Sequence, residues 1–99
     1  MSASPAPLHG RVALVTGASR GIGLAIAQRL VADGAHVVIT ARKPEPLAEA
    51  MRSFPDGTVT AVAGSADDPA HRAEVFARVA ELGRLDILIA NAGINPVYG

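Results

Sequence analysis

Residues 12–30 read VALVTGASRGIGLAIAQRL, and three glycines, Gly17, Gly21 and Gly23, fall within seven positions of it. The residues ahead of them, 11–16 (RVALVT), form a short, β-branched and continuously apolar run. That is the pattern of a strand buried on both faces of a parallel sheet, rather than the alternation of a half-exposed one. After the glycines the spacing changes. Ile22, Ile26 and Leu30 recur every four residues with Ala25 and Ala27 between them, which predicts a helix with these residues inward. Asp33-Gly34 ends it, with Gly34 free to take the left-handed conformation just past the helix.

Outward from this unit the pattern repeats in kind, not in sequence. Residues 36–40 (HVVIT) predict a second strand. Pro44 and Pro46 fit a helix start, with Leu47, Ala50 and Met51 as its apolar stripe. Pro55-Asp56-Gly57 is a turn, and residues 58–63 (TVTAVA) predict a third strand. Asp68 as N-cap and Pro69 at the first helical position open a third helix. Val75, Phe76, Val79 and Leu82 form its stripe, Glu74 and Arg78 pair four apart on its outer face, and Gly83 closes it. Residues 86–90 (DILIA) predict a fourth strand. The order β-α-β-α-β-α-β implies an α/β fold, a doubly wound parallel sheet with helices on both faces. Right-handed crossovers leave few topologies, of which strand order 3-2-1-4 is the expected one.

Composition narrows the possibilities. Ninety-nine residues make at most one small domain, and half of them are apolar, so the chain is globular rather than disordered. Eight Arg and one Lys balance nine acidic residues, so neither nucleic acid nor an anionic membrane is indicated as a partner. The absence of Cys removes disulfides and thiolate chemistry and fits a cytoplasmic setting. His9, His36 and His71 lack metal-ligand spacing, and His36 and His71 read as structural or solvated. The Pro-rich start, MSASPAP, has no signal-peptide pattern, and residues 1–7 are expected to be a mobile tail ahead of a domain over 8–99. No apolar run approaches the ~20 residues of a membrane span.

In a sheet of order 3-2-1-4 the first strand is central, and ligands bind beyond the carboxyl ends of the strands where the order reverses. Glycines also mark plain turns; here a strand precedes them, a helix follows, and more βα units lie behind. Gly17 permits the sharp exit from the strand, Gly21 lets an anion approach the backbone, and Gly23 lets the helix pack close to the sheet. The helix offers unpaired N–H groups and a positive dipole end to a phosphate. This is the mechanism of a dinucleotide fingerprint, with spacing G-x-x-x-G-x-G rather than G-x-G-x-x-G.

Thr16-Gly17-Ala18-Ser19-Arg20-Gly21-Ile22-Gly23 resembles the cofactor loop of the short-chain dehydrogenases/reductases. Asn91-Ala92-Gly93 looks like that family's second signature, and Leu85-Asp86-Ile87-Leu88-Ile89 matches its usual lead-in. The resemblance covers residues 8–94 and implies a Rossmann fold and a nicotinamide dinucleotide held by Gly17, Ser19, Arg20, Gly21, Ile22, Gly23, Asn91 and Gly93. Family members usually carry a further Asn where Ala90 stands, and an Asp that meets the adenine where Ser65 stands. Ser65 could replace that contact, or Asp67 could swing in.

The end of the second strand sets the cofactor. A carboxylate there would bind the ribose 2′-OH of NAD and repel a 2′-phosphate. Ala41 occupies that place, Arg42 and Lys43 follow, and Arg20 lies in the glycine loop. Two guanidiniums can clamp a phosphate, so NADP(H) is expected over NAD(H), with Arg42 as the phosphate contact and Lys43 as a solvated charge.

The resemblance also implies a catalytic Ser and a Tyr-x-x-x-Lys, which these residues do not contain. Tyr98 is the only Tyr, Lys43 is the only Lys, and no Ser follows Ser65. The chain therefore reads as the cofactor-binding half of an NADP-dependent oxidoreductase, from which no turnover is expected alone. A non-catalytic NADP(H)-binding module and a truncated product without function are the competing readings. Complete relatives are expected to be homo-oligomers. The fourth strand would be an exposed parallel edge, so the isolated chain is expected to be marginally stable.

Overall fold

The computed structural model describes residues 6–91. Its elements are β1 (Val12–Thr16), α1 (Gly21–Ala32), β2 (His36–Ala41), α2 (Pro44–Met51), β3 (Val59–Ala63), α3 (Pro69–Leu82) and β4 (Ile87–Ala90). The four strands form one sheet in the order β3-β2-β1-β4, with every neighbouring pair parallel. Leu14 stands opposite Val38 on one side and Leu88 on the other. The expected topology is the observed one.

Both faces of the two central strands are buried, as their unbroken apolar runs require. Ala13, Val15, Val37 and Ile39 face α1 and α2, where Ala27, Leu47 and Phe54 complete a core. Leu14, Val38 and Val62 face the other way and meet Val75 and Val79 of α3. Ile39, Val15, Val37 and Val38 are the largest fully buried side chains, so the sheet's centre is also its driest part.

The helices differ from their sequence patterns in detail. On α1 the inward residues are Gly23 and Ala27, while Ile22 is 73% exposed. Ile26 and Leu30 pack against the core from the flanks of that face, with Leu24 and Val31, so of the expected stripe only Ile22 turns away, while the positions directly over the sheet are taken by small residues. Met51 turns outward from α2. On α3 the buried stripe is His71, Val75 and Val79, and Phe76 is 61% exposed. Arg78 pairs with Glu81 at 3.1 Å, not with Glu74. The caps of α3 are as expected: Asp68 Oδ1 accepts from the Ala70 N–H at 2.9 Å, Pro69 follows, and Gly83 closes the helix in the left-handed conformation. Gly34 likewise takes a positive φ after α1. His36 is structural, its Nε2 lying 2.8 Å from Thr60 Oγ1 across β2 and β3.

The expected edge strand is held at its start by one side chain. Asp86 Oδ2 accepts the Val12 N–H at 2.9 Å, and the Asp86 N–H donates to the Val12 carbonyl at 2.8 Å. Arg84 grips the same carboxylate with two hydrogen bonds of 2.8 Å, and Arg11 lies 3.5 Å away. Asp86 thus extends the β1–β4 ladder one step ahead of Ile87, the first residue of β4. Beyond it the apolar surface is open: Leu88 on β4, Phe76 on α3 and Leu85 are all exposed. Among the described residues β4 pairs only with β1.

The Arg84 hydrogen bonds, then the Val12 N–H, hold the Asp86 carboxyl down at about 2. An unfolded Asp titrates near ~3.9. Stability from this carboxylate is therefore complete above pH ~4 and is lost as pH falls through about 2. Urea melts of Asp86→Asn should show lower stability than wild type at pH 7, with the gap closing between pH ~4 and ~2. A gap that stays constant over that window would contradict the role given to the carboxylate.

Candidate functional site at the carboxyl edge of the sheet

The loops leaving β1, β2, β3 and β4 meet at one end of an open cleft of about 1650 Å³, which continues along the uncovered apolar face lined by Leu14, Val75, Phe76, Leu85 and Leu88. The loops are tied to one another by backbone. The Ala18 N–H donates to the Thr40 carbonyl at 2.9 Å, and the Gly64 N–H to the Ala41 carbonyl at 2.9 Å. Asn91 Nδ2 donates to the Gly17 carbonyl at 3.1 Å, joining positions 74 residues apart. The cleft therefore has a fixed rim, although it is built from loops.

The glycines set the closeness of this packing. At Gly17, with φ +63°, a Cβ would run into the Asn91 carbonyl oxygen. At Gly23 a Cβ would collide with the Gly17 carbonyl oxygen and lie 2.5 Å from Asn91 Nδ2. Only residues without side chains let α1, the β1 exit and Asn91 meet here. Gly21 is different. Its φ is +64°, yet nothing lies within 4 Å of where its Cβ would be. Its missing side chain leaves space open on the cleft side.

The start of α1 is uncapped. Arg20 occupies the N-cap position in an extended conformation and no side chain accepts from the first turn. The first N–H groups of a helix need an acceptor, and their dipole end favours an anion. A donor set with this chemistry fits a phosphate group: free helical N–H groups, a glycine with open space before it, and basic side chains beside it.

Of the residues expected at the site, Gly17, Ser19, Arg20, Gly21, Arg42, Ser65 and Asn91 all line the cleft, as does Lys43. Ile22 and Gly23 lie on α1 just behind it, Gly23 as a packing residue. Asn91 directs its amide nitrogen to the loop rather than outward. Ser65 Oγ accepts the Asp67 N–H at 3.2 Å, so Ser65 shapes the turn after β3. Asp67 is exposed on the same rim. Gly93 and Tyr98 lie outside the described residues.

Two polar residues of the cleft have no site role in the sequence reading: Arg72, which it does not single out, and His71, which it takes as structural or solvated. Arg72 lines the cleft and donates from Nη1 to the Ala66 carbonyl at 2.8 Å. His71 lines it from the first turn of α3. Both follow the Asp68 cap by three and four residues, so the cap together with the topology could have placed them at the carboxyl edge. A second, smaller hollow of about 230 Å³ beside Gln28, Ser53 and Phe54 has no charged lining. Among the described residues no cluster of His, Cys, Asp or Glu could hold a metal, and no helix is long and apolar enough to cross a membrane.

A family profile described as short chain dehydrogenase matches residues 11–98. The chain is 44% identical to Dehydrogenase/reductase SDR family member 4 of Sus scrofa over 94% of its own length and 34% of that protein's. It is 43% identical to the mitochondrial Dehydrogenase/reductase SDR family member 2 of Homo sapiens, over 93% of this chain and 34% of the relative. Among solved structures it is similar to L-sorbose reductase from Gluconobacter frateurii, complexed with NADPH and L-sorbose, with TM-score 0.83 and 37% identity, covering 97% of this chain and 38% of that one. A short chain dehydrogenase structure from Pseudomonas syringae, described as putative, gives TM-score 0.78 and 42% identity, covering 94% of this chain and 41% of that one. The chain thus spans about a third of the length of the curated relatives it matches. With the family profile running along nearly all of it, and the glycine loop built at the carboxyl edge of a 3-2-1-4 sheet, the chain belongs to the short-chain dehydrogenase family.

Proposed function

We propose that these residues bind a nicotinamide adenine dinucleotide, NADP(H) in preference to NAD(H), as the cofactor-binding part of an oxidoreductase. The observation that carries the reading is the uncapped start of α1, opening beside Gly21 onto a cleft flanked by Arg20 and Arg42. Gly21, Ile22 and Gly23 would supply N–H groups to the pyrophosphate. Arg42, with Arg20, would take a 2′-phosphate, and the absence of an acid at Ala41 removes the group that would repel it. The NADPH held by the structurally similar L-sorbose reductase supports the same choice. When bound, the nicotinamide supplies a hydride-transfer centre for exchange between a carbonyl and an alcohol. The residues of this chain bind and orient; they contain no Tyr-x-x-x-Lys to move the proton. A binding module without catalysis of its own is the alternative reading. The two readings diverge on whether a continuation supplies those groups.

Calorimetric titration should give a lower Kd for NADPH than for NADH, and Arg42→Asp should invert the order. Equal affinities would contradict the assignment of Arg42. The glycines separate folding from binding. Gly23→Val should abolish the cooperative melt, because its side chain meets backbone and Asn91. Gly21→Ala should keep a melt, at a cost of about 1–2 kcal/mol for a positive φ, while binding NADPH at least tenfold more weakly. Wild-type affinity in Gly21→Ala would sink the phosphate role of that turn.

A further inference from the structure

α3 begins at the cleft, and the third residue of its first turn is a histidine that the phosphate chemistry leaves unused. His71 is 8% exposed, and its Nδ1 is fully buried without a hydrogen-bond partner. The ring lies in a slot made by Gly64. A methyl group there would fall 2.7 Å from His71 Cγ and closer still to Nδ1. Gly64 also sits at φ +158°, and its N–H is anchored to the Ala41 carbonyl. The slot is therefore a fixed feature of the β3 exit.

A buried nitrogen facing a glycine Cα tolerates a lone pair better than an unpaired N–H, because a stranded donor loses a hydrogen bond to water with no return. In a neutral imidazole the proton then sits on Nε2. Since His71 lines the cleft, Nε2–H is the ring donor left for a ligand. The place in the fold says which ligand group it meets. A pyrophosphate at the start of α1 puts one nucleoside over β2 and β3, where Ser65, Asp67 and His71 lie, and the other over β4. Arg42 and Arg72 stand on the rim there, so phosphates have cations of their own.

We infer that His71 is a recognition residue for the purine base of the dinucleotide, donating from Nε2–H to a ring nitrogen, with Gly64 as the slot that holds the imidazole in place. The inference rests on the nucleotide-binding reading above. It adds a contact on α3 to a rim whose Ser65 oxygen is already engaged with the Asp67 N–H.

The test uses the 99-residue chain with two probes, ADP, which carries the base, and inorganic pyrophosphate, which does not. Nitrogen-15 spectra of the imidazole should show the Nε2–H tautomer, and the His71 Nε2 signal should move on adding ADP and stay still on adding pyrophosphate. His71→Leu should weaken ADP binding about five- to tenfold, the loss of one hydrogen bond, and leave pyrophosphate binding unchanged. His71→Gln, whose amide nitrogen can stand near Nε2, should recover to within about twofold of wild type by keeping the donor. A His71→Leu chain that melts cooperatively and binds ADP like wild type overturns the inference and leaves the nucleotide reading intact. Equal weakening toward both probes overturns it too, as the mark of a merely structural histidine. If wild type binds neither ADP nor NADPH, the nucleotide reading falls and takes the inference with it.

Discussion

Three backbone segments meet at the Gly17 carbonyl: the exit of β1, the first turn of α1, and Asn91 after β4. The oxygen accepts from Asn91 Nδ2, and a side chain at Gly23 would collide with it. Distances this short set the height of α1 above the sheet. That height leaves room for only small residues, Gly23 and Ala27, directly over the sheet, with Ile26 and Leu30 packing from the flanks. It also leaves the start of the helix uncapped at the carboxyl edge of the central strand. The core and the site are thus fixed by the same contact.

The sheet transmits this arrangement to the other loops. Ala18 hangs on Thr40, and Gly64 on Ala41. Each loop at the carboxyl edge is anchored to a neighbouring strand, and those strands carry the driest part of the core. Basic residues can then occupy the rim without burial: Arg20, Arg42 and Lys43 are all exposed. Their long-range field is screened by salt, but at contact with a phosphate they act through directed hydrogen bonds. At the opposite edge, Asp86 binds β4 to β1 through a carboxylate held by Arg84, while Leu88 and Phe76 beyond it are exposed. The expectation of marginal stability for the isolated chain rests on this side of the sheet.

Much of the fold was legible because it rests on local signals. The apolar runs, the Asp68-Pro69 start of α3 and the Asp33-Gly34 stop of α1 each depend on a few adjacent residues. The strand order followed from alternation and handedness. What was not legible depended on distance. The Asn91–Gly17 bond and the Asp86–Val12 bond each join residues more than 70 positions apart. Helix faces were misread where size and orientation disagree: Ile22, Met51 and Phe76 look like core residues, yet small residues or His71 take the inward positions. The glycine loop was readable because its backbone demands are encoded locally. His71 and Arg72 carry no such local signal; the Asp68 cap and the strand order together place them at the carboxyl edge, but nothing in their neighbours marks them as lining the cleft.

The central claim is that the exposed N–H groups at the start of α1 are completed by a phosphate of the ligand rather than by the protein. Amide chemical shifts recorded while NADPH is titrated into the chain test it most directly. The account predicts saturable shifts that are largest at Gly21, Ile22 and Gly23, with Val37 and Ile39 in the sheet nearly unmoved. Silence at those three amides at saturating NADPH, or shifts concentrated around Gln28 and Ser53 instead, would contradict it.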